Sequence, residues 1–418
     1  MARAPTPALT LSLDRARAHW HRRQGLTEPV SGTLEEVVAA TGWPRTLGGA
    51  DVYLAVRARV PGLSRKQLDE AVAQSRLQVT PAVRGCIYLV PRAEVPLVLR
   101  VAEEQYLKRA EREHPKAGIA SNELEDVGEA VLKALRKGPL STDALRKALP
   151  EGVVRSLGEK GKKLGLSSTL PPALRHLEFE GRVERMLEGG RLDTERYLWR
   201  LAAKNPFTGA KVPAASTARY ALLGALFFRQ FGPATVEDFS TWAAISQRDA
   251  REALSTLPLV PVAIEGYSDE AFVLEADVAV LREKLRAATT VSLLPSGDLY
   301  LVHHGGPAPL TDPRHHGVEL PQWGSSKPGT LGEGRYMALR GLLDGDRLVG
   351  LWEYDPDAEA VVFHTFDALP PKRRRAVQAL AEDVATFLRE DVGHARSFTL
   401  DSTDTVRERA ATIQAMAR

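Results

Sequence analysis

The sequence predicts an α+β fold, and two observations predict it. One pattern occurs three times: an apolar-periodic helix, a short turn, a second helix with polar punctuation, then a pair of β-type segments. After about residue 288 the texture changes to β-type segments and loops. The repeated pattern is the outline of a winged helix, which sets its third helix in a DNA groove and its hairpin on the backbone. The expected organisation is three tandem winged-helix modules over residues 1–116, 117–212 and 213–288, followed by a β-rich part over 289–418.

The first module opens with a helix from Leu13 that carries Trp20 and stops near Gly25. Thr33 precedes Leu34 to Val38 with Glu36 three residues on, a capping-box spacing. Gly42, Pro44, Gly48 and Gly49 make a loop, and order resumes from Val52 to Val60. Ser64 caps a helix over Arg65 to Gln74, with Leu68, Ala71 and Val72 inward. Leu77 to Ala82 and Gly85 to Val90 read as paired strands, and Glu94 to Glu113 as a charged helix leading out.

In the second module, Leu124 to Lys137 ends at Gly138-Pro139, and Ser141 caps Ala144 to Leu149. A basic, glycine-containing loop follows to Leu166. The next helix takes Pro171 and Pro172 in its first turn, where proline is tolerated, and a hairpin spans Val183 to Trp199. In the third, Ala218 to Phe231 stops at Gly232-Pro233, Thr235 and Ser246 cap two short helices, and Leu259 to Ile264 pairs with Ala271 to Leu274. A short helix spans Val278 to Ala287.

The β-type segments beyond are Val291 to Val302, Tyr336 to Leu342, Arg347 to Tyr354 and Ala360 to Phe366, with Asp344-Gly345 as a hairpin turn. The interval from His303 to Gly334 is rich in Gly, Pro and His and reads as a long functional loop. Pro370 to Leu388 is a last helix, and the tail from Asp391 is weakly patterned.

Composition narrows the function classes. Of 418 residues, 44% are hydrophobic and 26% charged, as in ordinary globular chains. Cys86 is the single cysteine, which excludes an internal disulfide and points to a reducing compartment. The first residues lack the apolar core of a signal peptide, and no stretch has the run of apolar residues a membrane span requires. The net charge of +3 does not by itself argue for a nucleic acid. Its distribution does: Lys133, Arg136, Lys137, Arg146, Lys147, Arg155, Lys160, Lys162 and Lys163 face only Asp143, Glu151 and Glu159. A solvated helix surface fits the same cluster. Arg175 and His176 fall on the predicted recognition helix of the second module, with Arg182 and Arg185 at its wing.

The pairs His303-His304 and His315-His316 lack the Cys or Glu-x-x-His spacing of a zinc site. They read as loop histidines or phosphate contacts. Trp20, Phe227, Phe228 and Trp242 have core spacing, and Gly329 to Gly334 lacks the Gly-Lys-Ser/Thr end of a phosphate loop.

Several stretches, in order, resemble the AlkZ/YcaQ-type winged-helix DNA glycosylases. They are Arg23-Gln24-Gly25-Leu26, Tyr53-Leu54-Ala55 through Arg59-Val60-Pro61-Gly62, and Val83-Arg84-Gly85 with Tyr88-Leu89-Val90. Further along come Gly232-Pro233-Ala234-Thr235 with Asp238-Phe239 and Trp242, Leu293-Leu294-Pro295 with Asp298 and Tyr300, and Asp344-Gly345 with Val349-Gly350 and Trp352. The resemblance implies tandem winged helices around a C-terminal β-barrel-like domain. It implies removal of bulky cationic alkylpurines and unhooking of crosslinks, without lyase activity, through a Gln-x-Gln or Gln-x-Asp motif.

Here that motif's window holds Arg45-Thr46-Leu47, none of which positions a water as Gln or a carboxylate does. The candidate catalytic acids are then Asp298, in the Leu-Leu-Pro segment, and Asp51, in the Gly-rich loop beside the motif. A turn or capping carboxylate is the other reading of each. Arg45 and Arg84 join the candidate DNA contacts, Arg84 with internal ion pairing as its alternative. The expected partner is double-stranded DNA, alkylated or crosslinked, bound by a cytoplasmic, nucleoid-associated monomer with no cofactor. A non-catalytic winged-helix binder or regulator is the second function class, and a protein-interaction scaffold the third.

Overall fold

The computed structural model describes residues 7–416, apart from 195, 284–287, 323, 326, 334 and 335. Helices and strands are mixed along the whole chain. Their starts follow local chemistry. Thr33 and Glu36, Ser64 and Gln67, and Thr235 and Asp238 each form a reciprocal capping box. Ser12, Ser141 and Ser246 each accept one backbone N–H of the first helical turn.

Three stretches of helices each end in an antiparallel hairpin. The first has helices Leu13–Arg23, Leu34–Thr41, Asp51–Arg57 and Arg65–Ala73, then strands Leu77–Pro81 and Ile87–Pro91. The long helix Val95–Ala117 leads out and ends at Gly118 in a left-handed turn, φ 70°. The second has Ser121–Leu135, Thr142–Ala148 and Leu170–Phe179, then Val183–Leu187 paired with Tyr197–Leu201. Its core, from Ala117 to Trp199, is separate from the others. The third has Ser216–Phe231, Val236–Ala243 and Gln247–Leu254, then Leu259–Ile264 paired with Ser268–Leu274.

The structure departs from the sequence reading in four places. Leu9–Leu11 is a strand that runs parallel to Leu259–Ile264, so the start of the chain completes the third sheet. Residues 299–302, expected as strand, form a helical turn: Pro295 and Gly297 interrupt the strand Val291–Leu294, and Asp298 accepts the Tyr300 N–H to cap the turn. The tail beyond residue 391 holds the helix Thr403–Met416, with Val406, Ala410 and Ile413 buried.

The fourth departure is the barrel. Val291–Leu294, Arg340–Asp344, Arg347–Asp355 and Ala360–Thr365 form an open four-stranded antiparallel sheet in that order. Four strands are too few to close around a filled interior. Helices cover the sheet instead: Pro371–Thr386 packs on its first and last strands, and Thr403–Met416 on its last two. The short helix after Val278 is described as far as Arg282; the rest of its expected span, residues 284–287, lies outside the described residues. Gly334, the expected end of the histidine-rich loop, also lies outside them. Among the described residues no helix is long and apolar enough to cross a membrane.

Candidate active site

Both candidate carboxylates reach one cleft. Asp51 opens the helix Asp51–Arg57, after Gly48 and Gly49 with φ of 72° and 75°. A Cβ on Gly49 would meet the backbone of residues 396–398 at 2.5 Å, so the loop is pressed against the C-terminal segment. Asp298 comes from the turn after Pro295. The cleft lies between helices of the first unit and the edge of the C-terminal sheet. A second lobe shares Arg45, Gly297, Leu299 and Tyr336 with it and extends to Arg84, Asp238 and Trp242.

The two acids are not equivalent. Asp298 is 1% exposed. Arg59 grips both its oxygens, at 2.8 and 2.9 Å, and Oδ1 also accepts the Tyr300 N–H at 2.9 Å. Arg59 donates further to the Ala55 carbonyl and to Gln24 Oε1. A buried, bidentate pair of this kind ties the turn to the first unit.

Asp51 keeps 19% of its side chain exposed. Its Oδ1 accepts from Arg340 at 2.7 and 3.2 Å, and Ser296 Oγ faces Oδ2 at 3.4 Å. Burial pushes its carboxyl above the usual range, against the pull of Arg340. Arg340 also pairs with Glu353; Glu353 accepts from Arg409 at 2.6 Å, and Arg409 reaches Asp401 at 2.7 Å. Three acids thus alternate with two guanidiniums, one negative charge is left over, and Asp51 is the member open to the cleft.

The remaining candidates divide into exposed and buried. Lys160, Lys162 and Lys163 stand exposed on and after the short helix Gly158–Lys162. The exposed Lys162–Glu159 pair holds its cation only weakly. Arg182 is exposed and pairs with Glu129. Arg84, at the tip of the first hairpin with φ 63°, donates to Tyr336 Oη at 2.9 Å.

Others expected to face DNA have partners within the protein. Glu178 is 3% exposed on its helix and needs counter-charge; Arg185 grips both its oxygens, and Arg175 adds a third contact. His176 is half-buried, edge-on to Tyr106, and burial lowers its pKa. His303 lies 4.0 Å from the Phe231 ring. His304 stacks on Trp20 at 3.9 Å, and its Nε2 donates to the Phe231 carbonyl. Both histidines are buried, and both line the second lobe of the cleft. Among the described residues no cluster of three or more His, Cys, Asp or Glu is placed to hold a metal.

A profile of the DNA glycosylase AlkZ-like family matches residues 40–387. The chain belongs to this DNA glycosylase family. No curated protein matches it. The solved structure of DNA glycosylase AlkZ from Streptomyces sahachiroi is similar, with a TM-score of 0.68 and 20% identity, over 93% of this chain and 98% of that one. At that identity the likeness speaks for the fold.

In this AlkZ-like chain the Arg45-Thr46-Leu47 stretch lies along the first hairpin. Arg45 bridges Tyr88, and the Thr46 N–H donates to the Ile87 carbonyl at 3.0 Å. The Arg45 side chain lines both lobes. Sequence reading missed Arg59 as a partner, and missed Ser296, Tyr336, Arg340, Glu353 and Arg409. Two of them left a signal: Arg340 and Glu353 interrupt otherwise apolar strand runs, where a charge survives only if paired.

Proposed function

We infer that this chain is a monofunctional DNA N-glycosylase in which Asp51 carries the chemistry. The observation that carries the reading is that Asp51 is a cleft-facing, partly exposed carboxylate, while Asp298 is consumed by Arg59. A nucleotide flipped from the duplex would enter the cleft, with the Tyr336 ring as a stacking surface. Asp51 would orient a water at the anomeric carbon and offset the positive charge that develops on the sugar. Ser296 and Arg340 would hold the carboxylate in place. No lysine is among the described lining residues, which favours hydrolysis over an imine route. The three helix–hairpin units would act as winged-helix modules along the duplex, with the Lys160–Lys163 face and Arg182 on phosphates.

The test is base release from duplexes carrying damaged purines, read as strand breaks after alkali, for wild type, Asp51→Asn and Asp298→Asn. Asp51→Asn is expected to lower turnover by about 10²-fold or more. Because the catalytic form is the carboxylate and its pKa is raised, activity falls with decreasing pH above the ordinary carboxylate range. Full activity in Asp51→Asn would end the assignment. Salt-dependent duplex binding with no product from any lesion would favour the non-catalytic binder, a reading supported by the absence of Gln or acid at 45–47.

A further inference from the structure

The cleft holds a cation that makes no ion pair of its own. Arg59 and Asp298 neutralise each other, and Asp51 is held by Arg340. Arg45 forms no ion pair among the described residues. Its Nη2 makes a 3.6 Å contact to Cys86 Sγ, and its buried Nε has no partner among them. Arg45 lines both lobes, as Tyr336 does, and Arg84, which donates to Tyr336 Oη, adds positive charge from the hairpin tip. Asp238, the acid of the second lobe, is engaged in its own helix cap and by Tyr267. The surplus negative charge of the Asp51 network lies where the sugar would sit; a base that meets the unpaired Arg45 guanidinium is favoured if it acquires negative charge and gains nothing there if it is a cation.

Resting on the reading of Asp51 as the water-orienting carboxylate, we propose that Arg45 is the leaving-group residue and that the substrate is a neutral damaged purine. As water attacks, its oxygen bonds to C1′, the C1′–N9 bond breaks, and the bonding pair departs on the purine. A neutral purine leaves as an anion, whose charge Arg45 compensates as it forms. The water's proton passes to Asp51 and through solvent to the departed base, so charge and atoms balance. A cationic alkylpurine leaves neutral and draws nothing from a guanidinium. The interaction therefore grows between ground state and transition state for one lesion class alone, which is the condition for selectivity in turnover.

The test compares release of neutral 1,N6-ethenoadenine and cationic 7-methylguanine from otherwise identical duplexes by wild type, Arg45→Gln and Arg45→Lys. A second readout is affinity for a duplex carrying the hydrolysis-resistant 2′-fluoro analogue of the 7-methylguanine nucleotide. Wild type is expected to favour ethenoadenine. Arg45→Gln should lose about 10²-fold on it, with Arg45→Lys intermediate, while release of 7-methylguanine holds or improves. The same substitution should tighten binding of the cationic analogue relative to undamaged duplex. A wild-type preference for 7-methylguanine overturns the proposal. So does an equal loss on both lesions or on all duplexes, which marks a phosphate contact. If neither base is released, the Asp51 reading falls, and the affinity ratio alone decides for or against Arg45. If Asp51→Asn keeps full activity while the lesion ratio still follows position 45, Arg45 stands without Asp51.

Discussion

At the scale of single residues, the two carboxylates show what a sequence can and cannot say. Both were legible as candidate acids, and both line one cleft. Their roles were not, because Asp298 is defined by Arg59, 239 positions away. The locked pair makes a stability prediction. Asp298→Asn leaves Arg59 buried without a counter-ion and is expected to cost about 3–5 kcal/mol, read as a lower denaturant midpoint. The residual folded protein should release base at close to the wild-type rate. A loss of turnover with unchanged stability would return Asp298 to the chemistry. His303 and His304 carry the same lesson in reverse. Their surroundings in sequence are Gly-rich and loop-like, yet Trp20 and Phe231 arrive from distant helices to bury them.

At the scale of elements, what depended on neighbours within a turn was readable. The Thr33, Ser64, Thr235 and Ser246 starts, the three hairpins and the Asp344-Gly345 turn are set by local hydrogen bonds and by φ. Closure of the last sheet was not local, and the expected barrel gave way to an open sheet with helices on it. The helix Thr403–Met416 was hidden because one of its inward positions is Arg409, not an apolar residue. That arginine connects the end of the chain to the cleft through Glu353 and Arg340. Its positive charge pulls the Asp51 pKa down. Arg409→Met should therefore raise it further and move the acid limb of the rate profile to higher pH, with the alkaline plateau retained. An unmoved limb in a folded variant would show that the network is structural only.

At the scale of the whole molecule, the first helix is the clasp. Trp20 donates to the Pro233 carbonyl at 2.9 Å, Arg17 to Pro309, and Arg23 pairs with Asp277, so Leu13–Arg23 touches both the third unit and the C-terminal part. Leu9–Leu11 before it completes the third sheet. Two histidines of this helix are buried: desolvation, with nearby arginines, pushes His19 and His21 down to about 3. In the unfolded chain each takes its proton near pH ~6.5. Below that pH the unfolded state binds more protons than the folded one. The stability these groups lend is thus fully present above about pH 6.5 and is lost as pH falls towards 3. Within the window the loss is about 1.4 kcal/mol per pH unit for each histidine. Urea midpoints at pH 7 and pH 5, both above the ordinary carboxylate range, should therefore differ clearly. His19 has no hydrogen-bond partner among the described residues, so His19→Leu removes its share of the slope without breaking a bond. An equal pH 7 to pH 5 loss in that variant would place the acid sensitivity elsewhere than the clasp. A flattened slope would mean that this helix, by keeping its histidines uncharged, holds the third unit and the C-terminal part together.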